Sequence, residues 1–290
     1  MTVTQQTGIR EIDRALDLHY GRLSTGQRLA IDLLLADARY GAVVSALQLA
    51  DAAGVSESTV TRAAQSLGFA GFPDLQRHLR ERFVAPVETR LAQPPGREDA
   101  SLHPAAMSML DDAARIREMA EDFPAEEFEA VVARLLAAKR VLIFGERGSH
   151  GLAQMLAIGL RLLLDDVRLL TQTAGDLPDQ LLGLGEGDLV IAISFRRVDR
   201  VTVDILKRAR QQGAESVAIA DHRSSAAARA ADQSLIVKTG TLRLMPSFAA
   251  GASMVNALLE DVATRRHDQV SERLREAEDL WTQFRSYAEP

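Results

Sequence analysis

Five short runs rich in Val, Ile and Leu, at residues 141–144, 167–170, 189–193, 216–220 and 234–237, alternate with helical stretches in the C-terminal half of the chain. That order fits parallel strands joined by right-handed helical crossovers. The runs are apolar at successive positions rather than alternating, so helices must cover both faces of the sheet. Residues 150–164 and 199–212 are the clearest crossover helices, with apolar side chains recurring at helical spacing.

The N-terminal part has another rhythm. Between residues 9 and 84, apolar positions recur at helical spacing over 28–38, 46–53 and 57–67, and no strand-like run interrupts them. Residues 85–104 then carry Pro86, Pro94, Pro95, Gly96 and Pro104 among charged residues, the composition of an extended connector. Helices are expected over 107–120 and from Pro124 to Ala138, the second with Phe123, Phe128, Val131, Val132 and Leu135 on its apolar side. After Pro246 the chain reads as helical to its end, with Trp281 and Phe284 on a charged terminal helix that caps the domain or packs on a second subunit. The fold class is therefore α/β. A small all-α domain (1–84) is followed by a linker and connecting helix (85–119), a five-stranded parallel-sheet domain with helices on both faces (120–266) and a C-terminal helix (267–290).

Composition removes several function classes. The 290 residues hold no cysteine, which excludes disulfides, thiolate metal sites and thiol nucleophiles and fits a reducing compartment. No stretch approaches the roughly 18 unbroken apolar residues of a membrane span, and the first ten residues lack an apolar signal core. A cytoplasmic protein without membrane contact is expected. The formal charge of -6 argues against a globally basic coat, but a small DNA-binding module needs only a local positive face.

Residues 46–67 carry the most legible signal. Ala50 is a small residue where two helices of a helix-turn-helix cross most closely, and Gly54, four residues on, suits a left-handed turn. Ser56 then caps the next helix. Leu49, Ala53, Val55, Val60, Ala63 and Leu67 form the expected buried seam. That register turns Ser56, Glu57, Ser58, Thr61, Arg62 and Gln65 outward, as in a helix that lies in the major groove. Arg62 suits guanine or phosphate, Gln65 adenine, and Ser58 and Thr61 either phosphate or base edges. Glu57 fits poorly unless it accepts from cytosine or pairs with Arg62. The alternative is a plain helical hairpin with a solvated polar face.

Residues 45–80 resemble the N-terminal domain of the RpiR family of bacterial regulators, through Leu49-Ala-Asp-Ala-Ala-Gly-Val-Ser-Glu-Ser-Thr-Val-Thr-Arg62 and Leu67-Gly-Phe-Ala-Gly-Phe-Pro-Asp-Leu75. The resemblance implies that Gly68 and Gly71 allow a turn anchored by Phe69 and Phe72. This chain has only Arg62 where the family usually places one or two basic residues, so phosphate contacts are sought in Arg77, His78, Arg80 and Arg82, whose other reading is a solvated face.

Across residues 120–265 the alternating pattern resembles the SIS (sugar isomerase) domain that such regulators carry as an effector sensor and dimerisation unit. In open sheets of this kind the ligand lies beyond the carboxyl ends of the strands. After Phe144 the family pattern is Gly-x-Gly-x-Ser. Gly145 and Ser149 match it, Arg147 stands where the second glycine is expected, and Gly148 is displaced by one. After Ile193 the family pattern is Ser-x-Ser-Gly-x-Thr. Ser194 matches, while Arg196, Arg197 and Asp199 replace the second serine, the glycine and the threonine. The arginines either take over anion recognition by charge-assisted bonds or fill the old phosphate cradle, and retained binding of an anionic metabolite is preferred. In the loop after the fourth strand, Ser224 or Ser225 is expected to cap a short helix, and His222 reads as a loop residue.

Glu146 and His150 are candidate general bases, but neither lies in an arrangement specific to catalysis, and no zinc spacing or nucleophile turn is present. No cofactor or metal is called for. The expected protein is a regulator rather than an enzyme, with operator DNA, a small anionic metabolite such as a phosphosugar, and further copies of itself (dimer or tetramer) as partners. A sugar-phosphate isomerase, or a regulator whose SIS domain only dimerises, are the alternatives.

Overall fold

The computed structural model of the chain describes residues 12, 15–16, 18–36, 44–83, 103–195, 198–223, 225–239 and 247–287. In the N-terminal domain one turn of 3-10 helix (Tyr20–Arg22) precedes α1 (Thr25–Ala36), α2 (Ala46–Ala53), α3 (Glu57–Ser66) and α4 (Phe72–Phe83). Polar caps set the start of α2. The Ser45 hydroxyl accepts from the Gln48 amide at 3.2 Å, and the Gln48 side chain accepts from the Ser45 amide at 3.0 Å. Ile31, Leu34, Leu49, Val60, Leu67, Phe69, Phe72, Leu75 and Leu79 fill this domain's core. Ala63 and Ala64 are both fully buried, so α3 packs closely on the helices before it. Of the expected seam, Ala53 and Val55 are only partly buried.

α5 (Pro104–Glu121) carries proline in its first turn, and the His103 ring accepts from the Ala105 amide at 3.2 Å. Its Met119 lies in the core of the second domain. Lys238 donates to Glu118 and Asp122 at 3.0 Å each, which ties the same end of the helix to the chain just after the last strand.

The second domain runs α6 (Ala125–Ala137), β1 (Arg140–Gly145), α7 (Ser149–Arg161), β2 (Val167–Leu169), α8 (Leu177–Gln180), β3 (Asp188–Ser194), α9 (Arg200–Gln211), β4 (Glu215–Ala220), α10 (Ala226–Ala230), β5 (Gln233–Ile236), α11 (Ala249–Arg265) and α12 (His267–Gln283). All strand pairs are parallel and the order is β2-β1-β3-β4-β5. The five expected strands are present, each within about two residues of its apolar run. Phe123, expected on the buried side of α6, is exposed and stacks on Phe128 with ring centroids 5.0 Å apart.

Two apolar layers sandwich the sheet. Val141, Ile143, Leu189, Ile191, Ile193, Val217 and Ile219 face one core, with α6, α7 and α11. Leu142, Phe144, Val190, Ala192 and Ala218 face the other, with α9 and α10. Successive strand residues thus enter opposite cores, which is why the runs are apolar without alternation and why a slip of one residue would exchange every side chain between them. Strand order reverses between β1 and β3. In open sheets of this kind ligands sit beyond the carboxyl ends of the strands near such a reversal.

Candidate DNA-binding face and ligand cleft

The outward face of α3 is built from its cap. Gly54 takes φ 65° and ψ 35°, and its amide reaches the Ala50 and Asp51 carbonyls. The Ser56 hydroxyl accepts from the Thr59 amide at 3.2 Å and bonds the Ser58 and Thr59 hydroxyls at 2.9 and 2.8 Å. Glu57, awkward as a DNA contact, sits in the first turn, where a carboxylate complements the helix dipole. Ser56, Glu57, Ser58, Arg62 and Gln65 are exposed, Thr61 is half-buried, and Val60, Ala63 and Ala64 form the inner side. Arg62 does not stand against Glu57: its guanidinium donates to the Ser58 carbonyl at 3.2 Å and the Ser58 hydroxyl at 3.3 Å. The side chain is thereby laid along the helix toward its N-terminus, the end that meets base edges in such motifs.

The phosphate candidates on α4 divide. Arg77 is exposed and ion-paired to Asp74, and Arg80 donates to Gln76 at 2.8 Å. His78, by contrast, is buried. Its Nδ1 lies 2.8 Å from the Asp74 carbonyl and its ring packs on Phe69 at 5.1 Å, so it belongs to the core that fixes the turn after α3. The side chain of Arg82 lies outside the described residues. Phe69 and Phe72 anchor the segment as the family resemblance implies.

At the second site, β1 ends in Gly145 for a steric reason. A Cβ there would stand 2.7 Å from the Ser149 carbonyl oxygen and 2.9 Å from the Ala153 Cβ, so no larger residue lets α7 approach the strand. Arg147 adopts φ 53°, a left-handed backbone at the position of the family's second glycine. A backbone of the kind glycine adopts without strain is here carried by an arginine. Gly148 has ordinary right-handed angles, φ -65° and ψ -30°, at the start of α7. Ser149 is buried, and its hydroxyl accepts from the Phe195 amide at 3.4 Å, joining the loops after β1 and β3. Ser194 is likewise buried at the end of β3. Arg196 and Arg197 lie outside the described residues, as does Ser224. Ser225 caps α10, accepting from the Ala228 amide at 3.1 Å.

A cleft of about 420 Å³ opens beside Arg147, lined by Glu146, Arg147, His150, Thr171, Gln172 and Thr173. Its far wall is the loop after β2, which sequence reasoning missed. Gln180 pins that loop by accepting from the Thr171 amide at 3.1 Å and donating to the Thr171 carbonyl at 2.9 Å. His150 lies 3.2 Å from the Gly145 carbonyl through Nδ1. The structure thus brings Arg147 together with three uncharged polar residues, while Ser149 and Ser194 face inward. Among the described residues, no cluster of three or more His, Asp or Glu could hold a metal ion, and no helix is long and apolar enough to cross a membrane.

A helix-turn-helix with an outward polar helix, joined to a doubly wound sheet with a polar cleft at its carboxyl edge, is the build of a ligand-responsive transcriptional regulator. Comparison with known proteins agrees. Residues 11–86 match the helix-turn-helix domain of the rpiR family, and residues 134–260 match the SIS domain. The chain belongs to the RpiR family of transcriptional regulators. The sugar isomerase domain of an RpiR transcription factor from Sphaerobacter thermophilus is 28% identical, with a TM-score of 0.58 over 60% of this chain and 98% of that one. The Vibrio vulnificus NanR protein, solved with ManNAc-6P, shares the fold with a TM-score of 0.58 at 16% identity, over 90% of this chain and 94% of that one. No curated protein matches the chain.

Proposed function

We propose that this regulator binds its operator as a homodimer in the cytoplasm, through Ser56, Ser58, Thr61, Arg62 and Gln65 on α3 and Arg77 on α4. A phosphosugar or related anionic metabolite, seated in the cleft beside Arg147, controls that binding. The observation that carries the ligand reading is Arg147 itself. A non-glycine residue held in a left-handed backbone costs about 1–2 kcal/mol, and such strain gathers at ligand sites. Arg147 lines a cleft with Glu146 and His150, and the facing wall, Thr171, Gln172 and Thr173, offers hydroxyl and amide groups suited to a polyol. The bound ManNAc-6P of the NanR protein supports a phosphosugar as the ligand class. Gly145, Gly148, Ser149 and Ser194 shape the loops around it, and Arg196 and Arg197 add positive charge from the loop after β3.

Two copies are needed because a single small module gives little affinity, whereas two on one molecule gain from effective concentration and read two half-sites. The reading as a non-enzyme is tested by assaying aldose–ketose isomerisation of sugar phosphates, since Glu146 and His150 line the cleft and supply acid–base groups. Turnover that disappears in Glu146→Gln would establish the isomerase instead. For DNA, a mobility-shift titration of upstream sequence should show specific, salt-sensitive binding. Arg62→Ala should weaken it by about 1–3 kcal/mol, with ligand binding retained. Equal binding by the Arg62→Ala variant would remove α3 from the recognition surface.

A further inference from the structure

The guanidinium of Arg62 is held in place by its own helix. Its Nε donates to the Ser58 carbonyl at 3.2 Å and its Nη2 to the Ser58 hydroxyl at 3.3 Å. Ser58 is held in turn: its hydroxyl lies 2.9 Å from that of Ser56, which caps α3 by accepting from the Thr59 amide at 3.2 Å. Hydrogen bonds therefore run from the cap of α3 to Arg62, the helix's single basic residue. A guanidinium offers parallel N–H groups along two edges, a side edge through Nε and Nη2 and an end edge through Nη1 and Nη2. Ser58 takes up the side edge. Among the described residues no other hydrogen bond or ion pair holds Arg62, so the end edge is open.

We infer that Arg62 reads a guanine in the major groove through that end edge, and that Ser58 is the positioning residue that sets its direction. Guanine presents two acceptors side by side there, its carbonyl oxygen and a ring nitrogen, which match a parallel pair of donors. Adenine sets an amino donor beside its acceptor, cytosine offers a donor, and thymine sets a methyl group beside its carbonyl. None of these takes both N–H groups. A phosphate contact needs charge more than direction and carries no sequence information. Direction is what Ser58 supplies. A long side chain fixed in advance loses its rotamer freedom on folding rather than on binding, which favours an oriented contact with a base. Ser58 acts on the operator through Arg62.

This assignment rests on the reading of α3 as the operator helix, and the experiment separates the two. Randomised DNA duplexes selected by the full chain should yield a site with at least one fixed guanine. Replacing the fixed guanines in turn by 7-deazaguanine, which lacks the major-groove ring nitrogen, should at one position weaken binding about ten-fold. That loss should shrink to about two-fold or less in Arg62→Ala and to about three-fold in Ser58→Ala. Ser58→Thr, which keeps a hydroxyl, should retain it in full. Ser58→Ala removes no charge, so its affinity for unrelated duplex and its salt dependence should match the unaltered chain. Both side chains are exposed, so the variants should keep the cooperative unfolding of the parent. Selection of no sequence at all overturns the operator reading, and this assignment with it. A selected site that Arg62→Ala weakens no more than unrelated duplex, with a shallower salt dependence, makes Arg62 a phosphate contact and overturns the guanine alone. An undiminished effect of 7-deazaguanine in Ser58→Ala overturns the role of Ser58.

Discussion

Arg229 of the SIS domain places a guanidinium nitrogen 3.4 Å from a carboxylate oxygen of Asp32 in the helix-turn-helix domain. The same carboxylate accepts a hydrogen bond from the Tyr20 hydroxyl, and Arg28 lies over the Tyr20 ring at 5.6 Å. Arg229 sits on α10, which leaves the carboxyl edge of the sheet, the edge that carries the ligand cleft. A charge on the sensor domain is thus held against the core of the DNA-binding domain. Such a contact couples the sites only if ligand changes its free energy. Replacing Arg229 with Ala should leave operator affinity without effector within about two-fold and shrink the effector's influence on it by roughly five-fold or more. A mobility-shift titration with and without sugar phosphate measures both, and an unchanged response would make the contact structural only.

Asp32 also sets a pH dependence. Burial pushes its carboxyl above the ordinary carboxylate range, and the Tyr20 hydrogen bond and the charges of Arg229 and Arg28 pull it only part of the way back. A carboxyl whose folded pKa is raised binds its proton more tightly when folded, so its contribution to stability is fullest below the unfolded pKa of about 3.9 and falls as pH rises through the folded pKa. Relative to Asp32→Asn, the unaltered chain should therefore be more stable near pH 4 than near pH 7, by about 1.4 kcal/mol per pH unit of displacement. Urea unfolding of both proteins at the two pH values checks the sign. An advantage for Asp32 that grows toward neutral pH would show that Arg229 and Tyr20 outweigh burial.

Arg147 should respond to substitution in two opposite ways. Arg147→Gly removes a left-handed arginine, φ 53°, and restores the family's glycine, so thermal stability should rise by about 1 kcal/mol. Affinity for sugar phosphate should fall by about ten-fold or more, since a charge-assisted bond is lost. Calorimetric titration beside a melting curve resolves the two effects. A gain in both quantities would mean that the arginine fills the cradle instead of serving it.

These contrasts show what a linear sequence encodes. Gly54, Ser56 and the five strand runs were legible because turn conformation, capping and periodicity act over a few residues. The contact between Asp32 and Arg229 joins positions 197 residues apart and leaves no periodic mark. Thr171, Gln172 and Thr173 follow a three-residue strand and belong to no motif, so only the fold reveals them as a wall of the cleft. His78 looks like a surface cation on a polar helix, yet packing on Phe69 and a bond to Asp74 bury it. α8, four residues long, is too short for helical spacing to announce it, whereas the five-residue α10 was legible only through its capping serine.

Gly145 offers a test that separates backbone fit from side-chain chemistry. A methyl group there meets the Ser149 carbonyl at 2.7 Å and Ala153 at 2.9 Å, and the first of these neighbours is backbone that cannot rotate away. Gly145→Ala must push α7 off β1, at a cost typical of overpacking, about 1–3 kcal/mol. Since Glu146, Arg147 and His150 ride on that loop and the first turn of α7, sugar-phosphate binding should weaken with it. Gly148→Ala, at right-handed angles that any residue adopts, should cost little conformational energy. The pair of variants, compared by thermal unfolding and ligand titration, reports whether the cleft depends on the close seat of α7 against the sheet. If Gly145→Ala binds as well as Gly148→Ala, the ligand is held elsewhere.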